Sequence, residues 1–174
     1  VQIGLINVSD TSEGYSIGLI NIVLKGYHKL ALFANEMMNA NIAFKTGNTK
    51  LYSIFLGGYN IVPDQKVWSY GYGLGSELTL VKKLALNIEL SSQYLHLGSW
   101  DHLNLQNKVN ALLNLRLSKH FSIYAGPAYS VFVSNQHETI SGYKDPIPPA
   151  GYKAHDFGGM VTGWIGWTAG IHLF

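Results

Sequence analysis

The chain has 174 residues, enough for one domain with a sizeable interior, and only 13% of them are charged, against about 25% in soluble globular proteins. Apolar residues reach 47%, yet no window approaches the roughly 18–20 uninterrupted apolar residues of a membrane helix. A net charge of +2 is too small to imply a nucleic-acid partner, and the absence of cysteine excludes a disulfide framework or a thiolate metal site.

Apolar character spread thinly over alternating segments is the expectation for strands that cross a bilayer. The chain starts at Val1 with neither a Met nor a signal peptide, so it reads as a processed protein or a fragment. The first two segments repeat one another: QIGLINV (2–8) returns as SIGLINI (16–22) after the polar link SDTSEGY. They are a duplicated hairpin strand or two rungs of a solenoid. The hairpin is the preferred expectation, because later segments do not continue the period.

Eight further segments alternate with period two and are separated by turn chemistry: 28–35, 37–46, 49–60, 66–79, 83–97, 103–118, 120–134 and 159–174. With the repeats they make about ten strands, and an even number suits an antiparallel up-and-down barrel. The whole of 1–174 is then a single all-β transmembrane β-barrel domain. Its connections alternate between tight turns (KTGNTK, LVKK, SKH) and longer loops (VPDQ, GSWDH and 135–158). Charge sorts with them. Lys25, Lys29, Lys45, Lys50, Lys82, Lys83 and Lys119 fall at the short-turn end. Asp10, Glu13, Glu36, Asp64, Asp101, Glu138, Asp145 and Asp156 fall at the loop end, with Lys66, Lys144 and Lys153.

Only Glu77, Glu89, Lys108 and Arg116 remain inside strands, and all four share the parity of Asn87, Ser91, Gln93, Asn110 and Asn114. The opposite parity carries Leu84, Leu86, Ile88, Leu90, Val109, Leu113 and Leu115. A charge on a lipid face near the bilayer midplane costs about 2–4 kcal/mol, so the polar parity is assigned to a narrow lumen and the apolar parity to lipid. Glu77, Glu89, Lys108, Arg116, Asn87, Asn110 and Asn114 form the expected lumen network, with Glu77 meeting Arg116 and Glu89 meeting Lys108. Trp68, Tyr70, Tyr94, Trp100, Trp164 and Tyr59 suit interfacial girdles.

No catalytic set emerges. Asp101–His102, His137–Glu138 and His155–Asp156 are adjacent pairs, and neighbours in extended chain point in opposite directions. No metal-ligand spacing is present, and no cofactor is expected. Gly71, Gly73 and Gly75 alternate along a strand with no helix following, which suits small interior residues better than a phosphate loop.

Two passages, GYGLGSELTLVKKLALNIELSSQYL from Gly71 and LNLRLSKHFSIYAGPAYSVFVS from Leu113, resemble small outer-membrane β-barrel proteins of Bacteroidetes-type Gram-negative bacteria. The IGLIN repeats resemble surface-repeat segments of the same group. The last strand, with Ile165, Trp167, Ala169, Ile171 and Leu173 on one parity and a terminal Phe174, resembles the closing strand of such barrels. The resemblance implies an outer-membrane location, short turns in the periplasm, long loops outside, and no catalytic residue. The expected function is a barrel with a narrow or plugged lumen that is structural or part of an envelope complex. A small passive channel (porin-like) and a membrane-embedded hydrolase at the extracellular rim are the alternatives, an enzyme being the lesser. Outer-membrane lipid and other envelope proteins are the expected partners, nucleic acid is not, and the last strand is expected to seam against the first repeat.

Overall fold

The computed structural model describes residues 2–9, 16–23 and 26–174, the first two stretches through their backbone pairing alone. Lys25, Asp10 and Glu13, placed above by charge sorting, lie outside the described residues. No helix occurs among the described residues; the elements are strands: β1 (Gln2–Ser9), β2 (Ser16–Val23), β3 (Tyr27–Asn35), β4 (Ala40–Gly47), β5 (Tyr52–Tyr59), β6 (Trp68–Val81), β7 (Leu84–His96), β8 (Asn104–Arg116), β9 (Phe121–Ser134), the two-residue β10 (His155–Asp156) and β11 (Val161–Leu173).

Strands β3 to β9 pair antiparallel with their neighbours in order, and β11 closes the sheet by pairing with both β9 and β3. The result is an eight-stranded antiparallel barrel, with β10 folded onto β11 at the loop end. Closure leaves no unpaired edge in the wall. The expectation of about ten strands is corrected, because the two repeats stand outside the barrel. The seam is corrected with it: Thr168–Leu173 pairs with Leu30–Asn35 of β3, not with the first repeat.

The repeats pair with each other in parallel, Ile3 opposite Ile17, Gly4 opposite Gly18, Ile6 opposite Ile20 and Asn7 opposite Asn21. Hairpin strands are antiparallel, so the hairpin expectation is corrected, and the parallel pairing is the one that stacked rungs would share. Alternation is the same in both arrangements and could not separate them, whereas the parallel register sets identical residues side by side. β2 runs beside β4 and β5, where Thr46 and Ser53, outward by register, are nonetheless buried.

Connections follow the expected two-ended plan. Residues 48–51, 82–83 and 117–120 make tight turns at one rim, and residues 60–67, 97–103 and 135–160 make loops at the other. Parity sorts the wall. Ile42, Phe44, Tyr70, Leu78, Ile88, Leu90, Val109, Leu113, Ile123, Ile165 and Trp167 are exposed on the outside. Every Asp, Glu, Lys and Arg within the eight barrel strands lies on the inward parity, and beyond the four expected these include Lys29 and Lys45.

Candidate functional site

The inward face of an eight-stranded barrel is just filled by its side chains, and here most of them are polar. Near the short-turn rim Glu77 of β6 is the hub. Its carboxylate accepts hydrogen bonds from the Tyr27 hydroxyl at 2.9 Å, the Lys29 ammonium at 2.8 Å, the Asn87 amide at 3.3 Å and the Arg116 guanidinium. Arg116 remains one-third exposed, so water shares its charge. The Tyr27 and Tyr52 rings stack at 4.6 Å, and a side chain at Gly75 would run into the Tyr52 ring. Gly75 therefore makes room for an aromatic crossing the lumen, whereas Gly71 and Gly73 lie close against β7 at Gln93 and Ser91.

One layer deeper, Glu89 accepts from the Tyr52 hydroxyl at 2.8 Å and from Lys45. Lys45 Nζ lies 3.0 Å from His172 Nε2, and the His172 ring stacks on Tyr124 at 4.2 Å with Ser122 Oγ 3.3 Å from Nδ1. Asn87 donates to Tyr52 at 2.9 Å and joins the Glu89 layer to the Glu77 layer. Above Lys45 and Glu89 the lumen narrows to a void of about 20 Å³, bordered also by Ser91, Asn110, Thr168 and Lys108. That is the space of about one water, far short of a channel.

The loop-end mouth is closed by different chemistry. The β3–β4 connection, Glu36–Asn39, folds inward. The Asn35 side-chain oxygen accepts from the Met37 and Met38 amides at 2.9 and 2.8 Å, holding the turn, and both methionine side chains are fully buried. They pack with Val67, Leu95, Leu97, Phe132 and Trp164, while Ile147 and Tyr152 of the long loop lie over them. Glu36 hangs below this apolar lid. Its Oε1 accepts from Lys108 at 2.9 Å, Ser130 at 3.1 Å and the Trp164 indole at 3.2 Å; its Oε2 accepts from the Trp167 amide at 3.1 Å. Burial opposes its negative charge, but the Lys108 ammonium, with the backbone amides of Glu36 and Trp167, holds the Glu36 carboxyl below the usual carboxylate range. Gly166 supplies the room, since a Cβ there would run into the Glu36 carboxylate.

The structure thus places Glu77, Glu89, Lys108, Asn87, Asn110 and Asn114 in the buried interior and Arg116 at its lower opening. It brings Glu77, Asn87 and Arg116 together, while Asn110 accepts from Thr168 at 2.9 Å. Asn114 is fully buried, and neither amide atom has a partner among the described residues. The expected Glu89–Lys108 pair is corrected: Glu89 pairs with Lys45, and Lys108 pairs with Glu36. Sequence reasoning had assigned Lys29, Lys45 and Glu36 to the rims because they stand near strand ends. The parity that places Lys29 opposite Lys45 on the inward face was the available signal. Trp164 is a second correction, since it is fully buried within the lid rather than part of a girdle. Trp68, Tyr70, Tyr94 and Trp100 do cluster at the loop end of β6 and β7, with Trp68 and Trp100 centroids 5.0 Å apart.

A polar cleft of about 230 Å³ lies at the loop rim between the ends of β7, β9 and β11 and the long loop, lined in part by His137, Glu138, Lys144 and Asp145. Within it Thr139 donates to Asp145 at 3.0 Å, and among the described residues lining it no serine or threonine hydroxyl is hydrogen-bonded to a histidine. Ser122 and His172 do meet, but inside the plugged lumen with an ammonium, not a carboxylate, on the other ring nitrogen. Among the described residues no three His, Cys, Asp or Glu side chains converge as metal ligands. Comparison with known proteins finds no matching family model, no matching curated protein and no matching solved structure.

Proposed function

We propose that the protein is an integral outer-membrane β-barrel with a plugged lumen, serving as a structural element or as a component of an envelope complex. One observation carries this reading: every formally charged residue of the eight strands faces inward, while the outside presents Leu, Ile, Val, Phe, Tyr and Trp. A water-soluble barrel has no reason to strip its outer wall of charge, whereas lipid penalises each such charge by about 2–4 kcal/mol. The loop-end aromatics Trp68, Tyr70, Tyr94 and Trp100 suit the headgroup level.

The passive-channel alternative is disfavoured by the Met37–Met38–Trp164 lid and the ion pairs beneath it. The hydrolase alternative has a rim cleft, but among the described residues the one serine–histidine contact, Ser122 with His172, lies in the plugged lumen rather than in that cleft. Two measurements test the proposal. Detergent-free purification should give aggregate; a monodisperse soluble protein would refute the membrane reading. Single-channel recording in planar bilayers should show no unitary conductance, and discrete ion-selective steps would refute the plug.

A further inference from the structure

The loop-end cleft of about 230 Å³ is the outer vestibule of the plugged lumen. Its lining includes Leu97, Phe132 and Ile147, which form or pack against the Met37–Met38–Trp164 lid, so a molecule that enters it stops on the lid. The space is smaller than the roughly 300–1,000 Å³ pockets of drug-sized ligands, and suits a smaller molecule.

The wall of this vestibule is fixed in advance. Gln136 donates from Nε2 to the Leu97 and Glu138 carbonyls at 3.2 and 3.1 Å, and its Oε1 accepts from Asn104 at 2.7 Å. Farther along the loop, the Lys144 amide donates to the Lys66 carbonyl at 3.0 Å, and the Lys66 amide donates to the Gly142 carbonyl at 2.9 Å. A wall tied at both ends loses little further freedom when a ligand binds.

The charges on that wall are left over. Glu138, Lys144 and Asp145 bring both signs into the cleft, yet none of them belongs to an ion pair among the described residues. The Asp145 carboxylate accepts from the Thr139 hydroxyl at 3.0 Å, while the Lys144 ammonium and the Glu138 carboxylate have no hydrogen-bond partner among the described residues. Lys144 is half-buried, and burial pulls its pKa below the ordinary lysine value, with the Glu36 carboxylate opposing. An anionic group beside it would offset the water it has lost. The two carboxylates in the same cleft repel a simple anion, so the complement is a molecule that carries a positive charge close to its negative one. The apolar floor adds a third requirement.

We propose that the vestibule binds a small zwitterion with a primary ammonium, a carboxylate and a short apolar side chain, the chemistry of a free aliphatic amino acid. Its carboxylate goes to Lys144, its ammonium to Glu138 and Asp145, and its side chain to Leu97, Phe132 and Ile147. The closed floor makes this a binding site and not an entrance. The site stands on the geometry of the barrel mouth, so its failure would leave the membrane reading untouched.

The test titrates the full chain, in a non-ionic maltoside detergent, with L-leucine in a calorimeter. Leucinamide lacks the carboxylate and N-acetyl-leucine lacks the ammonium. L-leucine is expected to bind saturably, and each analogue about tenfold more weakly or worse. That comparison is made on the native protein and needs no variant to fold. Lys144→Met, checked for an unchanged near-UV circular dichroism spectrum, should lose the preference for leucine over leucinamide. Glu138→Gln combined with Asp145→Asn should lose the preference over N-acetyl-leucine. Absence of saturable leucine binding, equal affinity for the analogues, or an undiminished preference in the matching variant would each overturn the proposal.

Discussion

Below the middle of the lumen the interior is held by charges: Glu77 and Glu89 collect Lys29, Lys45 and Arg116 with two tyrosine hydroxyls. Above it the interior is held by shape, with Met37, Met38, Leu95, Phe132 and Trp164 packed into a lid. Glu36 and Lys108 form the joint between the two. The difference teaches what each stopper tolerates. An ionic plug fails when one partner is removed, because the other is stranded in a medium that cannot solvate it. An apolar lid fails in proportion to the volume lost.

The largest effect is expected in the ionic half. Glu77→Gln keeps the shape but strands Lys29, and should destabilise the barrel by about 3–5 kcal/mol, measured by urea unfolding in lipid vesicles. Adding Lys29→Met should restore a substantial part of the loss; no restoration would mean that Lys29 is not held by this ion pair. In the lid, Met38→Ala should cost about 2–4 kcal/mol by opening a cavity. A second apolar truncation beside it, Leu95→Ala, should add to the loss rather than reverse it, and reversal would erase the distinction between the halves. Gly166→Ala presses a methyl group against Glu36 and should cost about 1–3 kcal/mol by overpacking. Its effect should shrink in a Glu36→Ala background, which a double-mutant cycle reads directly.

The smallest expected effect is the acid response of the joint. Glu36 has its folded pKa lowered, so the stability it contributes is present above the unfolded carboxylate value of about 4.3 and is lost as pH falls through the folded value. The urea midpoint should therefore fall between about pH 5 and the acid limit, and less steeply in Glu36→Gln. Parallel slopes in the two proteins would remove Glu36 from the acid response.

Much of the barrel was legible because period-two alternation and turn chemistry are local signals. The eight later segments were located to within a few residues, and their inward parity was assigned from Asn87, Glu89, Lys108 and Asn110. What stayed hidden was set by non-local geometry. Lys45 stands two residues from the end of β4, where a charge looks solvated until the register turns it inward beneath Glu89. Glu36 belongs to a four-residue connection whose inward fold depends on Asn35 capping its amides. Trp164 was weighed as an aromatic near a strand end, although its own parity with Thr168 and His172 pointed inward. The pairing sense of the two repeats depends on the path between them, which alternation does not encode.

The strand that closes the barrel is also the last of its eight strands to be synthesised. β11 completes two ladders together, one to β9 along its whole length and one to the start of the barrel at Leu30–Asn35. Ion pairs that span the lumen, such as Lys108 with Glu36, sit beneath residues Trp164 and Trp167 that β11 itself brings. A nascent chain lacking β11 thus carries a partly assembled charged interior with no wall on one side. Closure joins residues far apart in sequence, which makes it a slow step with a high loop-closure cost. Until it happens, β3 and β9 each carry an unpaired ladder edge of the kind that templates pairing with other chains, so sealing by β11 is also what protects the sheet from association.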